Sequence, residues 1–231
     1  YVLCKKMCSE NLLYQLPKER IYSELKKLLT KSVLPSQAFI LLNELSGLKY
    51  LYPLNTLSKK NFLLTTNILD TGKQITHTNK ETNFFFMLSL LCYSFTQKET
   101  EVFIANFTSE KNLSKKIYAL TSTKFQTSYT ESQILPRATK VNIELFLCFS
   151  QAVVPHVSTQ SFLTTKKQAL RLGVFTAPAV ELLKGRDLLA LGIEPSQEYS
   201  KILSLAYTAQ LNLETTTQEE AKLWLKKYLR I

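Results

Sequence analysis

The sequence predicts an all-α fold, an elongated array of packed helices, on three observations. Apolar residues recur at three- and four-residue spacing along most of the chain, the period of a helix with one buried face. Only five glycines occur in 231 residues (Gly47, Gly72, Gly173, Gly185 and Gly192), too few for the tight turns of a sandwich or barrel or for a glycine-rich nucleotide loop. Hydrophobic residues make up 45% of the chain, and a chain of this size hides roughly 70% of its unfolded surface in a core.

The elements follow in order. Ser9 is placed to cap a short helix that stops at Pro17. Over 18–31, Ile21, Leu25, Leu28 and Leu29 share one side of an amphipathic helix. Ser36 caps the next, which carries Phe39, Ile40, Leu42 and Leu45, and Gly47 is positioned to end it in the left-handed conformation. Residues 51–82 are rich in Thr and Asn and contain Pro53 and Gly72, so they read as a connection with a turn or two of helix. The stretch 83–95 is apolar nearly all round, the mark of a buried central helix. Further helices are expected at 98–107, 110–121 and 141–151. Ser158 caps one carrying Phe162, Ala169, Leu170 and Leu172 and closed by Gly173, and Pro178 opens a short one closed by Gly185. The last two span 196–211 and 217–229, with Thr217 and Glu220 spaced as a capping box. No repeat of fixed period is present.

Several function classes are disfavoured by composition. The longest apolar run, 83–95, is interrupted by Ser89 and Ser94 and falls short of the ~20 residues that cross a bilayer, so a soluble protein without a membrane partner is expected. Cys4, Cys8, Cys92 and Cys148 include no CxxC pair and no adjacent histidine, so neither a zinc set nor any other metal site is expected. Cys92 and Cys148 sit in apolar stretches as small hydrophobes, consistent with a reducing cytoplasm. His77 and His156 have no partner at metal-ligand spacing, and no Ser/His/Asp or Cys/His relay is suggested. No strand-like run holds the close carboxylates that two-metal phosphoryl transfer requires. Tyr1 stands where a start methionine would, so a preceding segment is expected, and residues 1–8 are too polar for a signal sequence.

Charge is the positive indication. The formal net charge is +11. Counted by segment, residues 1–60 hold ten basic and four acidic side chains, 61–135 seven and six, 136–175 five and one, and 176–231 seven and seven. A clustered cationic surface attracts polyphosphate by counterion release, which makes structured RNA the favoured partner. The competing reading treats the lysines as a solvating coat on a free-standing helical adaptor that binds protein, for which 11 Tyr and 13 Phe could build an interface.

Two segments carry a family likeness. The first contains Glu19-Arg20-Ile21, Glu24-Leu25, Leu28-Leu29, Leu41-Leu42, Gly47-Leu48 and Leu51-Tyr52-Pro53. The second contains Gly185-Arg186-Asp187-Leu188-Leu189, Leu191-Gly192-Ile193, Pro195, Ile202-Leu203, Ala209-Gln210-Leu211 and Glu219-Glu220-Ala221, then Leu223-Trp224-Leu225. In this order they resemble the bacterial tRNA nucleotidyltransferase and poly(A) polymerase family, the CCA-adding enzymes, downstream of the catalytic head. The resemblance implies neck-like helices at 1–60, a helical body at 61–175 and a helical tail at 176–231, which together hold the tRNA acceptor arm. It also implies that ATP or CTP and Mg belong to a head whose glycine-serine loop and Asp-x-Asp pair do not occur here, so that this chain alone has no catalytic residue, cofactor or metal. The family's Pro-Gly-Pro after Leu191-Gly192 is replaced by Pro195-Ser196-Gln197. Some relatives carry a His-Asp hydrolase motif in the body; Leu90-Leu91-Cys92-Tyr93 stands there instead. On this reading Lys166, Lys167, Arg171, Lys184, Arg186 and Lys201 contact RNA phosphate, with Arg137 and Lys140 behind them. Glu19 and Arg20 are expected to form an intrahelical or interhelix ion pair that orients the neck, with direct RNA contact as the alternative.

Overall fold

The computed structural model describes residues 1–75, 80–110, 112–123, 125–126, 128–154 and 158–230. His77 and His156 lie outside the described residues. Within them are thirteen α-helices, three short 3-10 turns and no strand, the all-α class expected from apolar spacing. No helix among the described residues is long and apolar enough to cross a membrane. The chain divides into two compact units, Tyr1–Thr127 with Leu145–Val157, and Ser128–Glu144 with Ser158–Ile231. These divisions differ from boundaries near 60 and 175, because helices on both sides of residue 60 pack into one core.

The first unit starts with α1 (Val2–Ser9) and a 3-10 turn at Leu12–Gln15. Ser9 therefore ends a helix instead of capping one, its hydroxyl donating back to the Lys6 carbonyl at 2.9 Å. Left-handed Asn11 (φ 57°) breaks the chain before the turn. Helix α2 (Lys18–Lys31) buries Leu25 and Leu29, as its stripe required. Helix α3 (Pro35–Glu44) has Pro35 in its first turn, so Ser36 is already helical. The Ser36 backbone N–H (3.0 Å) and hydroxyl (2.5 Å) both donate to the Asp70 carboxylate, a negative charge where the helix dipole favours one. The left-handed residue after α3 is Ser46 (φ 55°), and Gly47 starts a 3-10 turn. What requires glycine at 47 is space, since a Cβ there would lie 2.9 Å from Leu42 Cδ2 and 3.2 Å from Cys8 Sγ.

Helix α4 (Lys59–Lys73) occupies the stretch that reads as a connection. Ser58 caps it by accepting from the Asn61 N–H at 3.2 Å, and its inner face uses Thr65, Thr66, Ile68, Leu69 and Gly72. The threonine hydroxyls are bonded, Thr66 to the Leu63 carbonyl at 3.0 Å and Thr65 with Ser94 Oγ at 3.1 Å, so they bury without the desolvation penalty of an unpaired group. Helix α5 (Lys80–Leu91) is the buried centre, with Phe84 and every residue from Phe86 to Leu91 buried. It packs against α2, α4 and α7. Helix α6 (Gln97–Ala105) follows a Thr96/Glu99 capping box, and α7 (Leu113–Thr121) packs beside it. Most of α9 (Ile143–Val153) completes the core. Phe125 stacks on Phe146 and on Phe149, each at 5.3 Å, while Phe86 meets Phe149 edge-on at 6.2 Å.

The second unit holds α8 (Glu131–Ala138), α10 (Thr159–Arg171), α11 (Gly185–Ala190), α12 (Tyr199–Leu211) and α13 (Gln218–Leu229). Helix α8 is additional to the helices read from sequence. It carries Pro136 near its end and is entered through Thr130, whose N–H donates to Gln133 Oε1 at 3.0 Å. Ser158 caps α10 and Gly173 (φ 68°) terminates it, both as spacing indicated. Pro178 opens no helix, and Gly185 starts α11 instead of closing one. The Thr217/Glu220 capping box opens α13. Leu188 and Leu225, both fully buried, join Leu183, Ala206 and Ala221 between α11, α12 and α13.

Candidate nucleic-acid interface

All eight residues expected to face RNA belong to the second unit. Helices α8 and α10 pack together and carry or adjoin five of them. Thr165 and Ala169 form the buried side of α10, which turns Lys167 outward while Lys166 lies half-buried with its ammonium 5.3 Å from the centre of the Phe175 ring. Arg171 is exposed and forms an ion pair with Glu131 on α8. Arg137 is half-buried: its Nη1 donates to the Gln133 carbonyl at 2.7 Å, and its guanidinium sits 4.9 Å from the Tyr129 ring. Lys140, just past α8, is exposed.

The other three frame the α11–α12 corner. Lys184 precedes α11, Arg186 lies in it and Lys201 occupies the first turn of α12, all exposed. Lys140, Lys167, Lys184, Arg186 and Lys201 form no ion pair among the described residues. They are therefore the cations whose charge is directed at solvent. Arg137, Lys166 and Arg171 already spend part of their chemistry on internal partners.

Asp187, next to Arg186, is a structural group. It is 6% exposed, and its two oxygens accept from the Lys184 N–H at 2.9 Å and from Gln218 Nε2 at 2.8 Å, with Lys222 Nζ 3.4 Å away. The Lys184 hydrogen bond, then Lys222 and Arg186, hold its carboxyl below the ordinary aspartate range. One carboxylate thus fastens the start of α11 to α13.

The expected Glu19–Arg20 ion pair does not form. Adjacent helical residues point in different directions; both side chains are exposed, and neither has a salt bridge among the described residues. Arg20 instead acts one turn along on Glu24, whose carboxyl is held low mainly by its 2.8 Å hydrogen bond from Lys27. Arg20 and Glu24 edge an otherwise apolar cavity of about 330 Å³ between α2 and the 3-10 turns, lined by Leu13, Ile21 and Leu28.

One cationic surface escaped the sequence reading. Helix α13 exposes Lys226, Lys227 and Tyr228, and Trp224 stacks on Tyr228 with ring centres 5.2 Å apart and planes 7° from parallel. Trp224 Nε1 donates to Glu214 at 3.0 Å, fixing the indole. The run Leu-Trp-Leu-Lys-Lys-Tyr at 223–228 was the available signal.

Burial pushes the Cys92 thiol far up, leaving it protonated and a poor nucleophile, and among the described residues no three His, Cys, Asp or Glu gather as a metal site. The chain matches no family model, no curated protein and no solved structure.

Proposed function

We propose that this chain is the RNA-holding helical part of a nucleotidyltransferase that extends RNA 3′ ends, of the tRNA nucleotidyltransferase and poly(A) polymerase kind, with transfer chemistry and the ATP, CTP and Mg sites in a head outside these residues. The observation carrying this reading is the set of exposed cations Lys140, Lys167, Lys184, Arg186 and Lys201 in one compact unit, none in an ion pair among the described residues. It is supported by the way the second family-like segment folds: Leu188, Ala221 and Leu225 meet in one cluster, and Arg186 and Lys201 stay outside it. Backbone phosphates of a tRNA acceptor arm are what such spaced point charges grip, setting position and orientation without reading sequence.

Filter binding of tRNA at two salt concentrations tests this, comparing the chain with a Lys167→Gln/Arg186→Gln/Lys201→Gln variant. Each lost phosphate contact flattens the salt slope by about one, so affinity should fall and the slope decrease by about three. Unchanged affinity and slope would reject the surface. Weak binding by the unaltered chain that ignores salt would favour the protein-binding adaptor.

A further inference from the structure

Helix α13 packs inward through Ala221 and Leu225 and leaves most of its circumference outside the core. Leu223 is 67% exposed and Tyr228 52%, and Lys226, Lys227 and Arg230 are exposed with them. Two features separate this surface from an ordinary solvated helix face.

The first is order in its rings. Trp224 and Tyr228 are four residues apart, so their side chains lie one above the other on the helix. Their planes are 7° from parallel and their centres 5.2 Å apart, within the range of an offset stack. Trp224 Nε1 donates to Glu214 at 3.0 Å, which holds the indole in place. A platform fixed in advance loses little freedom when a partner settles on it.

The second is charge. Lys226, Lys227 and Arg230 enter no ion pair among the described residues, whereas Lys222 is tied to Asp187. Lys227, three residues from Trp224, shares its side of the helix, and Lys226 and Arg230 continue the positive strip round it. Of the carboxylates on α13 and the loop before it, Glu214 receives Trp224, and Glu220 receives Thr216 and Thr217. Glu219 stands about two turns away from Lys227 at the helix start.

A flat aromatic surface fits another planar ring, and cations at its edge fit phosphate. A double helix presents the phosphate but buries the faces of its bases in their own stack, and an acidic peptide brings charge without a flat ring. Unpaired nucleotides use both halves of the surface.

We propose that the outer face of α13 binds unpaired nucleotides of an RNA strand, one base stacking on the Trp224–Tyr228 platform while an adjoining phosphate meets Lys227. The site rests on the reading of this chain as an RNA holder. It uses none of Lys140, Lys167, Lys184, Arg186 or Lys201, so the two surfaces can fail separately.

The test uses the full chain, whose one tryptophan is Trp224, titrated with octaadenylate RNA and with inorganic polyphosphate while tryptophan emission is followed. Octaadenylate should quench the emission to saturation; polyphosphate, which has charge but no base, should not. Tyr228→Leu should weaken octaadenylate about tenfold, the loss of one stacked base, and Tyr228→Phe, which keeps the ring, should bind as the unaltered chain does. Lys227→Gln should flatten the salt slope by about 0.7, the share of one single-strand phosphate. The quench should persist in the Lys167→Gln/Arg186→Gln/Lys201→Gln variant. Octaadenylate that binds without changing the emission, or polyphosphate that quenches equally, overturns this site, a comparison that needs no variant to fold. If tRNA still binds in the filter assay, the RNA-holding reading survives that result. Failure of both tRNA and octaadenylate to bind rejects the two together and leaves the face to a protein partner.

Discussion

The two units are both helical, but different things lie between their helices. The first is filled by aromatic bulk: Phe39, Phe86, Phe103, Phe146 and Phe149 are all fully buried there. The second packs leucine against alanine at Leu188, Ala206, Ala221 and Leu225 and is fastened by polar clamps. Besides Asp187, the Tyr199 hydroxyl donates to the Ile193 carbonyl at 2.5 Å and the Tyr207 hydroxyl to the Ala179 carbonyl at 3.0 Å. Charge divides unevenly as well. The first unit has 17 basic and 9 acidic residues, the second 12 and 9. The larger excess is therefore not where the candidate phosphate contacts are. Net charge steers a polyanion over a distance, and the first unit also exposes cations in no ion pair among the described residues, such as Lys18, Lys59 and Lys60, so the candidate contacts in the second unit are distinguished by the segments that carry them and not by exposure.

The comparison breaks most sharply at Phe149, where truncation should have the largest effect. Phe149→Ala removes the ring that meets Phe86, Tyr93 and Phe125, and a fully buried phenylalanine lost to alanine costs about 3–5 kcal/mol. Amide exchange should accelerate throughout α5 and α7 while α11 to α13 retain their protection. Equal loss of protection in both sets would show that the two units unfold as one.

Much of this architecture is readable from the chain, and the misreadings have specific causes. Helix α2 was legible because Ile21, Leu25, Leu28 and Leu29 repeat at helical spacing, and α13 because Thr217 and Glu220 form a box ahead of apolar residues. Helix α4 was missed because threonine counts as polar until a bonded hydroxyl lets Thr65 and Thr66 join the core. Helix α8 is eight residues long and contains Pro136, which reads locally as a break. Gly185 misled because glycine near a helix end is ambiguous: here the Asp187 carboxylate receives the Lys184 N–H and starts a helix. The exposure of the candidate residues was half legible. Exposed Lys167, Arg186 and Lys201 follow from position on amphipathic helices, but the Arg171–Glu131 pair joins residues 40 apart. The charge windows misled for the same reason, since Glu131 lies outside 136–175 in sequence and beside Arg171 in the fold.

The polar clamp gives the next largest effect. In Asp187→Asn an amide NH₂ must face either the Lys184 N–H or the Gln218 amide, both of which donate to the carboxylate. A donor set against a donor costs about 1–3 kcal/mol. The depressed acidity of Asp187 fixes the sign of its pH dependence. The folded state takes up the proton less readily than the unfolded chain, so this contribution is complete above the ordinary aspartate range and disappears as pH falls through the lowered folded value. Urea melts at neutral pH and in acid should therefore show a large gap between native and variant at neutral pH that narrows in acid. A gap that stays constant would mean that the carboxylate charge contributes nothing to the clamp.

The smallest effect separates the units through two glycines. Gly72 in α4 is held by space, since a Cβ would fall 2.2 Å from Leu90 Cδ1 and 3.4 Å from Phe86, whereas Gly173 after α10 has nothing within 4 Å of a Cβ but adopts φ 68°. Gly173→Ala should thus cost about 1 kcal/mol through left-handed backbone strain alone. Asparagine tolerates that conformation better than alanine, so Gly173→Asn should recover part of the loss. At position 72 the order reverses, because asparagine only adds bulk against α5, and Gly72→Asn should be worse than Gly72→Ala. Thermal melts of the four variants would display the two opposite rankings; the same ranking at both positions would mean that a single cause, crowding or backbone strain, governs both glycines.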